Sequence, residues 1–295
     1  MPMDIAFVLI NAITVAAIYG LIAIAVSITW SSLGLVNLAY GFVFSFAGYA
    51  AWLMATQVSK DPFLVAGAGI LAGAVGGIIV CLLVFIPLHD KPAFTSRGMI
   101  ATLAISLIGS QLFLMLFGPT SKSLPDLFGR WRTKIFDVTL TADKIGIVVC
   151  SVAMLAIVVA WMKSSRRGLE IRAMMMNPHA ASIVGIGIRR TGLYVMGLTG
   201  AMAGLASVLL SQTYYIAPFS GLTPLIKGVS IALCGGLGSV QGAVIAAILL
   251  GLVEALTNKF LGGQYVLMTQ FLVIILILIV RPRGISGIVD KAREQ

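Results

Sequence analysis

The sequence predicts an all-α polytopic membrane protein with about eight transmembrane segments, and three observations predict it. Hydrophobic residues make up 59% of the 295-residue chain and charged residues only 10%, against roughly 25% charged residues in a soluble domain. Mean hydropathy is +1.06. The apolar residues gather into runs near the ~20 residues that a helix needs to cross a hydrocarbon core, and the charges fall between those runs. No stretch has the composition of a soluble domain, so residues 1–295 read as one transmembrane unit. The net charge of +10 does not call for nucleic acid, because the cations lie in loops and the tail, where orientation and anionic lipid headgroups account for them.

In chain order the runs span about 6–29, 33–56, 63–86, 99–118, 145–162, 192–212 and 265–280. Asp4 is the only charge before Lys60, and no basic region precedes the first run, which is therefore expected to stay as a span. Glycines cluster in the third span (Gly67, Gly69, Gly73, Gly76, Gly77) and the sixth (Gly192, Gly197, Gly200, Gly204). Small residues let helices approach closely in lipid, so these predict tight packing rather than a direct role in transport.

The run 224–256 differs from the others. Its 33 residues would reach about 50 Å as one helix, well past a ~30 Å core, whereas two full spans need ~40 residues. Gly235-Gly236-Leu237-Gly238-Ser239 interrupts it. The expectation is two shorter helical pieces meeting at the glycines, as a re-entrant hairpin or a tight pair, in backbone tolerated only inside protein or beside water.

The longest polar interruption of the back half is 163–190, with Lys163, Arg166, Arg167, Arg172, Arg189 and Arg190 against Glu170. Lys/Arg-rich loops stay on the cytoplasmic side. Alternating backwards from that assignment puts the N-terminus outside and the loop 87–98, with Lys91 and Arg97, inside. The tail, with Arg281, Arg283, Lys291 and Arg293, is also inside if the 224–256 pair enters and leaves on one side. Loop 119–144 falls outside against the rule, since it carries five Lys/Arg; within it FDVTL could form a short strand. The segment 163–190 itself looks folded: Gly168 to Met176 can make a short helix, Asn177-Pro178 reads as an N-cap with Pro at the first helical position, and Gly185 suits a stop. Residue types alone leave it open between a docking element and a basic loop that only sets topology.

Enzyme signatures are missing. There is no Gly-Lys dipeptide and hence no P-loop, and His89 and His179 lie in or beside polar loops. Cys81, Cys150 and Cys234 are far apart in apolar runs, without metal-ligand spacing. What remains is polar residues in spans. Charges at mid-membrane cost about 2.5–3.5 kcal/mol on insertion scales. Asp4, Lys227 and Lys259 lie near segment ends, while Glu254 could line a path or pair with Lys227 if the broken segment folds back. Asn37 and Tyr40 flank a loop-like Gly34–Gly41 stretch; Ser106, Ser110 and Gln111 are expected on one helix face; Gln212 to Tyr215 close the sixth span. Each could equally hydrogen-bond a neighbouring helix.

Leu33-Gly34-Leu35-Val36-Asn37-Leu38-Ala39-Tyr40-Gly41 followed by Ala47-Gly48-Tyr49 resembles a signature of the permeases of branched-chain amino acid ABC importers. So do Gly168-Leu-Glu-Ile-Arg-Ala173, Asn177 with Ala180-Ala181 and Gly185-Ile186, then Gly235 to Ser239 with Gly242, Gly251 and Glu254. The terminal Arg281-Pro282-Arg283-Gly284-Ile285 with Gly287 fits as well. The resemblance implies a permease subunit of a bacterial inner membrane that binds no cofactor of its own. It pairs with a second homologous permease, binds two cytoplasmic ATPases that use ATP, and takes cargo from an extracytoplasmic binding protein. It also implies that 168–186 couples to the ATPase through Glu170, Arg172, Asn177, Ala180, Ala181 and Gly185. Asn37, Tyr40, Gly235, Gly236, Gly238, Ser239 and Glu254 are the candidates for the translocation path. Tyr40 and Phe42 stand where the family usually has more polar residues, and relatives in the family carry urea or short amides. The competing class is an ion-coupled secondary carrier, which needs titratable residues at mid-span.

Overall fold

A computed structural model describes residues 2–129, 132–135, 138–282 and 284–286. Arg283, Gly287, Lys291 and Arg293 of the tail, and Phe136 and Asp137 of the expected strand, lie outside the described residues. Eight helices among the described residues are long and apolar enough to cross a membrane. The elements are α1 (Pro2–Leu33), α2 (Tyr40–Leu53), α3 (Pro62–Val80), α4 (Ile86–Leu88), α5 (Phe94–Phe117), β1 (Arg132–Ile135), β2 (Val138–Thr141), α6 (Ala142–Ser164), α7 (Arg166–Met176), α8 (Pro178–Ile183), α9 (Ile188–Leu210), α10 (Leu222–Gly235), α11 (Val240–Phe260) and α12 (Val266–Val280). The strands form one antiparallel hairpin, with Arg132 opposite Thr141 and Ile135 opposite Val138. The other elements among the described residues are helical, as expected.

Local chemistry explains the boundaries. Asp61 caps α3, its Oδ1 accepting the Phe63 N–H at 3.0 Å, and Pro62 follows where a missing N–H costs nothing. At the far end α3 passes through a π-helical turn, Cys81–Phe85, into α4. Pro87 has no N–H and its ring crowds the carbonyl four residues back, so the wider turn relieves a clash that a regular helix would hold.

The centre of the bundle is α1 with α9, buried along most of their length, while α5, α6 and α12 turn apolar residues such as Ile108, Ile157 and Ile279 outward. In water those faces would be a liability; in lipid they are the solvated surface. Helix α3 meets α9 through the glycines the sequence singled out. A Cβ on Gly73 would lie 2.8 Å from Gly204 Cα and collide with the Gly200 carbonyl, and one on Gly77 would collide with the Met196 carbonyl. Gly67, by contrast, faces open space and takes no part. Between α2 and α5 a stack of aromatic rings fills the gap, with Phe42 5.6 Å from Phe113 and Tyr49 4.3 Å from Phe117. Phe42 also presses on Gly109, which accounts for an aromatic residue at that position. Among Ser106, Ser110 and Gln111, the two serines are buried and Gln111 is exposed. The expected common face is wrong by one residue: Gln111 sits next to Ser110 in sequence, so it is turned ~100° away around the helix.

The broken segment takes an unequal form. Helix α10 has 14 residues and α11 has 21, about 21 Å and 31 Å at 1.5 Å per residue. The second piece is thus long enough to cross alone, and only the first is short. Chain geometry places the start of α10 inside the bundle. A Cβ on Gly221 would lie 2.9 Å from Gly41 Cα, and one on Gly41 would lie 2.9 Å from Ser106 Oγ, midway along α5. The non-helical stretch between α9 and α10 therefore descends from the end of the bundle, where Ile216 and Lys122 exchange two backbone hydrogen bonds of 2.8 Å, to its middle. Gly238 lies beside Ser31, Ala247 beside Gly20 and Gly251 beside Ala12, so α11 runs back antiparallel along α1 from the break. After α12, Ile285 N–H donates to the Cys234 carbonyl at 2.8 Å and Ser286 N–H to that of Gly235 at 3.0 Å, clasping the chain's return to the break.

Candidate functional site

Lys227 on α10 and Glu254 on α11 are brought together by the fold-back at the glycines. The Lys227 ammonium donates to both carboxylate oxygens, at 2.7 and 2.8 Å, and to the Tyr19 hydroxyl at 3.3 Å. Gln270 of α12 donates to the same carboxylate at 2.8 Å. Lys227 also lies over the Tyr19 ring, 4.7 Å from its centre. Lys227 is 7% exposed and Glu254 2%. Two opposite charges so deep in the bundle hold together because each is paired and hydrogen-bonded; removing one leaves the other stranded. The pairing of Glu254 with Lys227 was one of the two alternatives open from sequence. Tyr19 and Gln270 were not legible, because neither is near in sequence to the pair they support.

Above the pair opens a cavity of about 300 Å³ lined by Tyr19, Phe44, Leu210, Ser211, Tyr214, Tyr215, Ser220, Thr223, Pro224 and Lys227. It lies where α9 ends and the descending stretch leads into α10, so four of its residues, Ser211 and Tyr214, Tyr215 and Ser220, belong to that non-helical chain. Gln212 of the same stretch turns elsewhere, its Oε1 accepting the Leu127 N–H at 3.0 Å.

The remaining path candidates fall into two other places. Asn37 is buried and shapes the α1–α2 turn: its Oδ1 accepts the Ala39 N–H at 2.9 Å and its Nδ2 reaches Met196 Sδ at 3.7 Å. The Tyr40 hydroxyl is 2.6 Å from Thr29 Oγ1, which reaches Thr199 at 3.4 Å. Asn37 and Tyr40 therefore form a polar knot joining α1, α2 and α9, apart from the Lys227–Glu254 pair. Gly235, Gly236, Gly238 and Ser239 form the break itself. Gly236 and Gly238 have φ of +94° and +96°, a conformation that needs glycine. The Gly238 N–H donates to Ser27 at 3.0 Å, and Ser239 caps α11 by accepting the Gly242 N–H at 3.0 Å.

At the end of the bundle where α6 stops and α9 starts, the basic segment folds as the sequence indicated. Ser165 caps α7 by accepting the Gly168 N–H at 2.9 Å. Asn177 caps α8, its Oδ1 accepting the His179 and Ala180 N–H groups at 2.9 and 3.0 Å, with Pro178 at the first position. Gly185, at φ +90°, ends α8, and Ile186 N–H reaches back to the Ala181 carbonyl at 3.1 Å. Gly168 lets α7 press on the backbone of Met162, where a Cβ would come within 2.5 Å of the carbonyl oxygen. Arg167 pairs with Glu170 at 3.0 Å and stacks on Tyr194, and Arg172 donates to the Lys163 carbonyl at 3.3 Å. Arg189 pairs with Asp90 at 2.8 Å, which ties the segment to the loop 87–98 and puts both basic loops at one end. Ala181 is buried, whereas Ala180 is exposed. Beside it Ile183 and Val184 are each 76% exposed and Met176 is 81% exposed. Among the described residues no group of histidine, cysteine or acidic side chains could hold a metal ion.

The family model for the branched-chain amino acid transport system permease component matches residues 8–280. The chain is 31% identical to the high-affinity branched-chain amino acid transport system permease protein LivH of Escherichia coli K12, over 94% of each protein. It is 28% identical to the corresponding permease protein BraD of Pseudomonas aeruginosa, over 95% of this chain and 94% of that one. Among solved structures, PsaBC from Streptococcus pneumoniae in complex with Fab is similar in fold, with a TM-score of 0.54 over 92% of this chain and 91% of that one at 12% identity.

Proposed function

The chain belongs to the branched-chain amino acid transport permease family and is a multi-pass ABC permease component rather than an ATPase, and from that premise we propose that it imports branched-chain or related amino acids. A second homologous permease completes the pathway, an extracytoplasmic binding protein delivers the cargo, and two cytoplasmic ATPases drive it. Energy enters at α7–α8. The observation that carries this reading is the exposure of three apolar side chains, Met176, Ile183 and Val184, at the ends of two capped helices in the basic segment. A loop that served only to set orientation would have no need of caps or of apolar side chains facing water. A stiff element can transmit the movement of a motor; a slack one absorbs it. Gly168 and the Arg167–Tyr194 stacking fix α7 to the ends of α6 and α9, so a push on α8 is passed to the bundle's central helix.

Replacing Ile183 and Val184 together by aspartate tests this reading. Central apolar anchors of an interface contribute on the order of 2 kcal/mol or more each, so co-purification of the ATPases should fall at least about tenfold. The side chains touch little within the permease itself, so its membrane insertion and thermal stability should stay at the wild-type level. Undiminished ATPase capture by this variant would mean that α8 is not the docking element.

A further inference from the structure

The Lys227–Glu254 pair does more than close a gap between helices: its lysine lies in the wall of a cavity of about 300 Å³, with Glu254 directly behind it at 2.7 Å. We propose that this cavity is a binding station for a zwitterionic amino acid, with the Lys227–Glu254 pair selecting a cargo that carries both charges and no net charge. The inference rests on the importer reading above and names the chemistry of its cargo site.

The argument is one of charge, shape and wall chemistry. Lys227 contributes to the cavity wall, yet its charge is matched by Glu254 at 2.7 Å, so the pair is dipolar and neutral. A cargo with a single net charge would bring an unmatched charge into a desolvated place, which is costly. An α-amino acid brings a carboxylate, which the Lys227 ammonium in the wall can meet, and an ammonium, to which Ser211, Ser220 and Thr223 offer hydroxyl oxygens, and it leaves the net charge of the site unchanged. The cavity's size stands at the lower end of the ~300–1,000 Å³ of small-ligand pockets. Phe44, Leu210 and the Tyr19 ring offer an apolar wall for a branched side chain, while Ser211, Ser220 and Thr223 supply hydroxyls. A purely structural ion pair would be served as well by a closed, packed surround; here one partner faces open space.

The test is direct binding of radiolabelled leucine to the purified permease–ATPase complex in detergent, with the extracytoplasmic receptor left out so that its own selectivity does not enter. Leucine should bind saturably, and leucinamide, which keeps the ammonium but lacks the carboxylate, should compete at least tenfold less well than valine. The double variant Lys227→Met/Glu254→Met removes both charges without stranding either, and should bind leucine at least tenfold more weakly. A second variant, Thr223→Trp, fills the cavity from an exposed position on its wall and should abolish leucine binding with the ion pair intact. Equal competition by leucinamide, wild-type leucine binding by either variant, or no saturable binding to the wild-type complex would each overturn the proposal. None of these results would touch the importer reading, which depends on ATP-driven uptake by the complete assembly.

Discussion

Glu254→Ala is expected to be among the most damaging single substitutions in the chain. It leaves the Lys227 ammonium, 7% exposed, without its carboxylate, and it takes from Gln270 the acceptor at 2.8 Å. Breaking a buried pair from one side costs about 3–5 kcal/mol, because the remaining charge is neither solvated nor matched. Converting both partners to methionine strands no charge and leaves Gln270 without its acceptor, and replacing a buried pair by packed apolar residues is often neutral. Thermal unfolding of the purified protein in detergent should therefore rank the single variant far below both the wild type and the double variant. If Glu254→Ala melts with the wild type, the two charges are not coupled as described.

The second large effect is expected at Gly200, where α9 crosses α3. A Cβ there would lie 3.1 Å from both Gly73 C and Gly77 Cα and collide with the Gly73 carbonyl oxygen. Those neighbours are backbone, which cannot rotate out of the way as a side chain would. Gly200→Leu must force the helices apart, at a cost of about 3 kcal/mol, the upper end of ordinary overpacking penalties. Gly67→Leu serves as the control, since nothing lies within 4 Å of its added Cβ. A loss of folded protein with Gly200→Leu but not with Gly67→Leu supports the close crossing. Equal tolerance of both would show that the helices are not in backbone contact.

Much of this is legible in the sequence. Helix-length apolar runs separate spans from loops because bilayer thickness fixes element length. The caps at Asn177 and Gly185 are local chemistry, decided within a few residues, and the structure reproduces both. The break at Gly235 to Ser239 was visible for the same reason. What escaped the sequence depends on contacts between distant segments. Nothing in residues 211–221 announces that they descend to the level of Gly41, because that path is set by how α9 and α10 dock on α2. The cavity above Lys227 exists only as a consequence of that descent. Gln270 reads as one polar residue in an apolar run until α12 is packed beside α11. Loop 119–144 looked too basic for its side of the membrane, yet Lys122 lies over the Trp52 ring and Lys144 donates to Asn11 at 2.8 Å. Local tertiary partners thus take up part of the charge that an orientation rule counts as free.

The buried Lys227–Glu254 pair also gives the ion-coupled alternative a foothold, since it sets titratable groups in the bundle. Uptake by the reconstituted system separates the two classes most directly. Proteoliposomes carrying this permease with the proposed second permease and ATPases should accumulate leucine, delivered by the proposed binding protein, only when ATP and Mg²⁺ are enclosed on the ATPase side. Proton and sodium gradients should neither replace ATP nor be required. Concentrative uptake by the permease alone, driven by an ion gradient without ATP, would contradict the account.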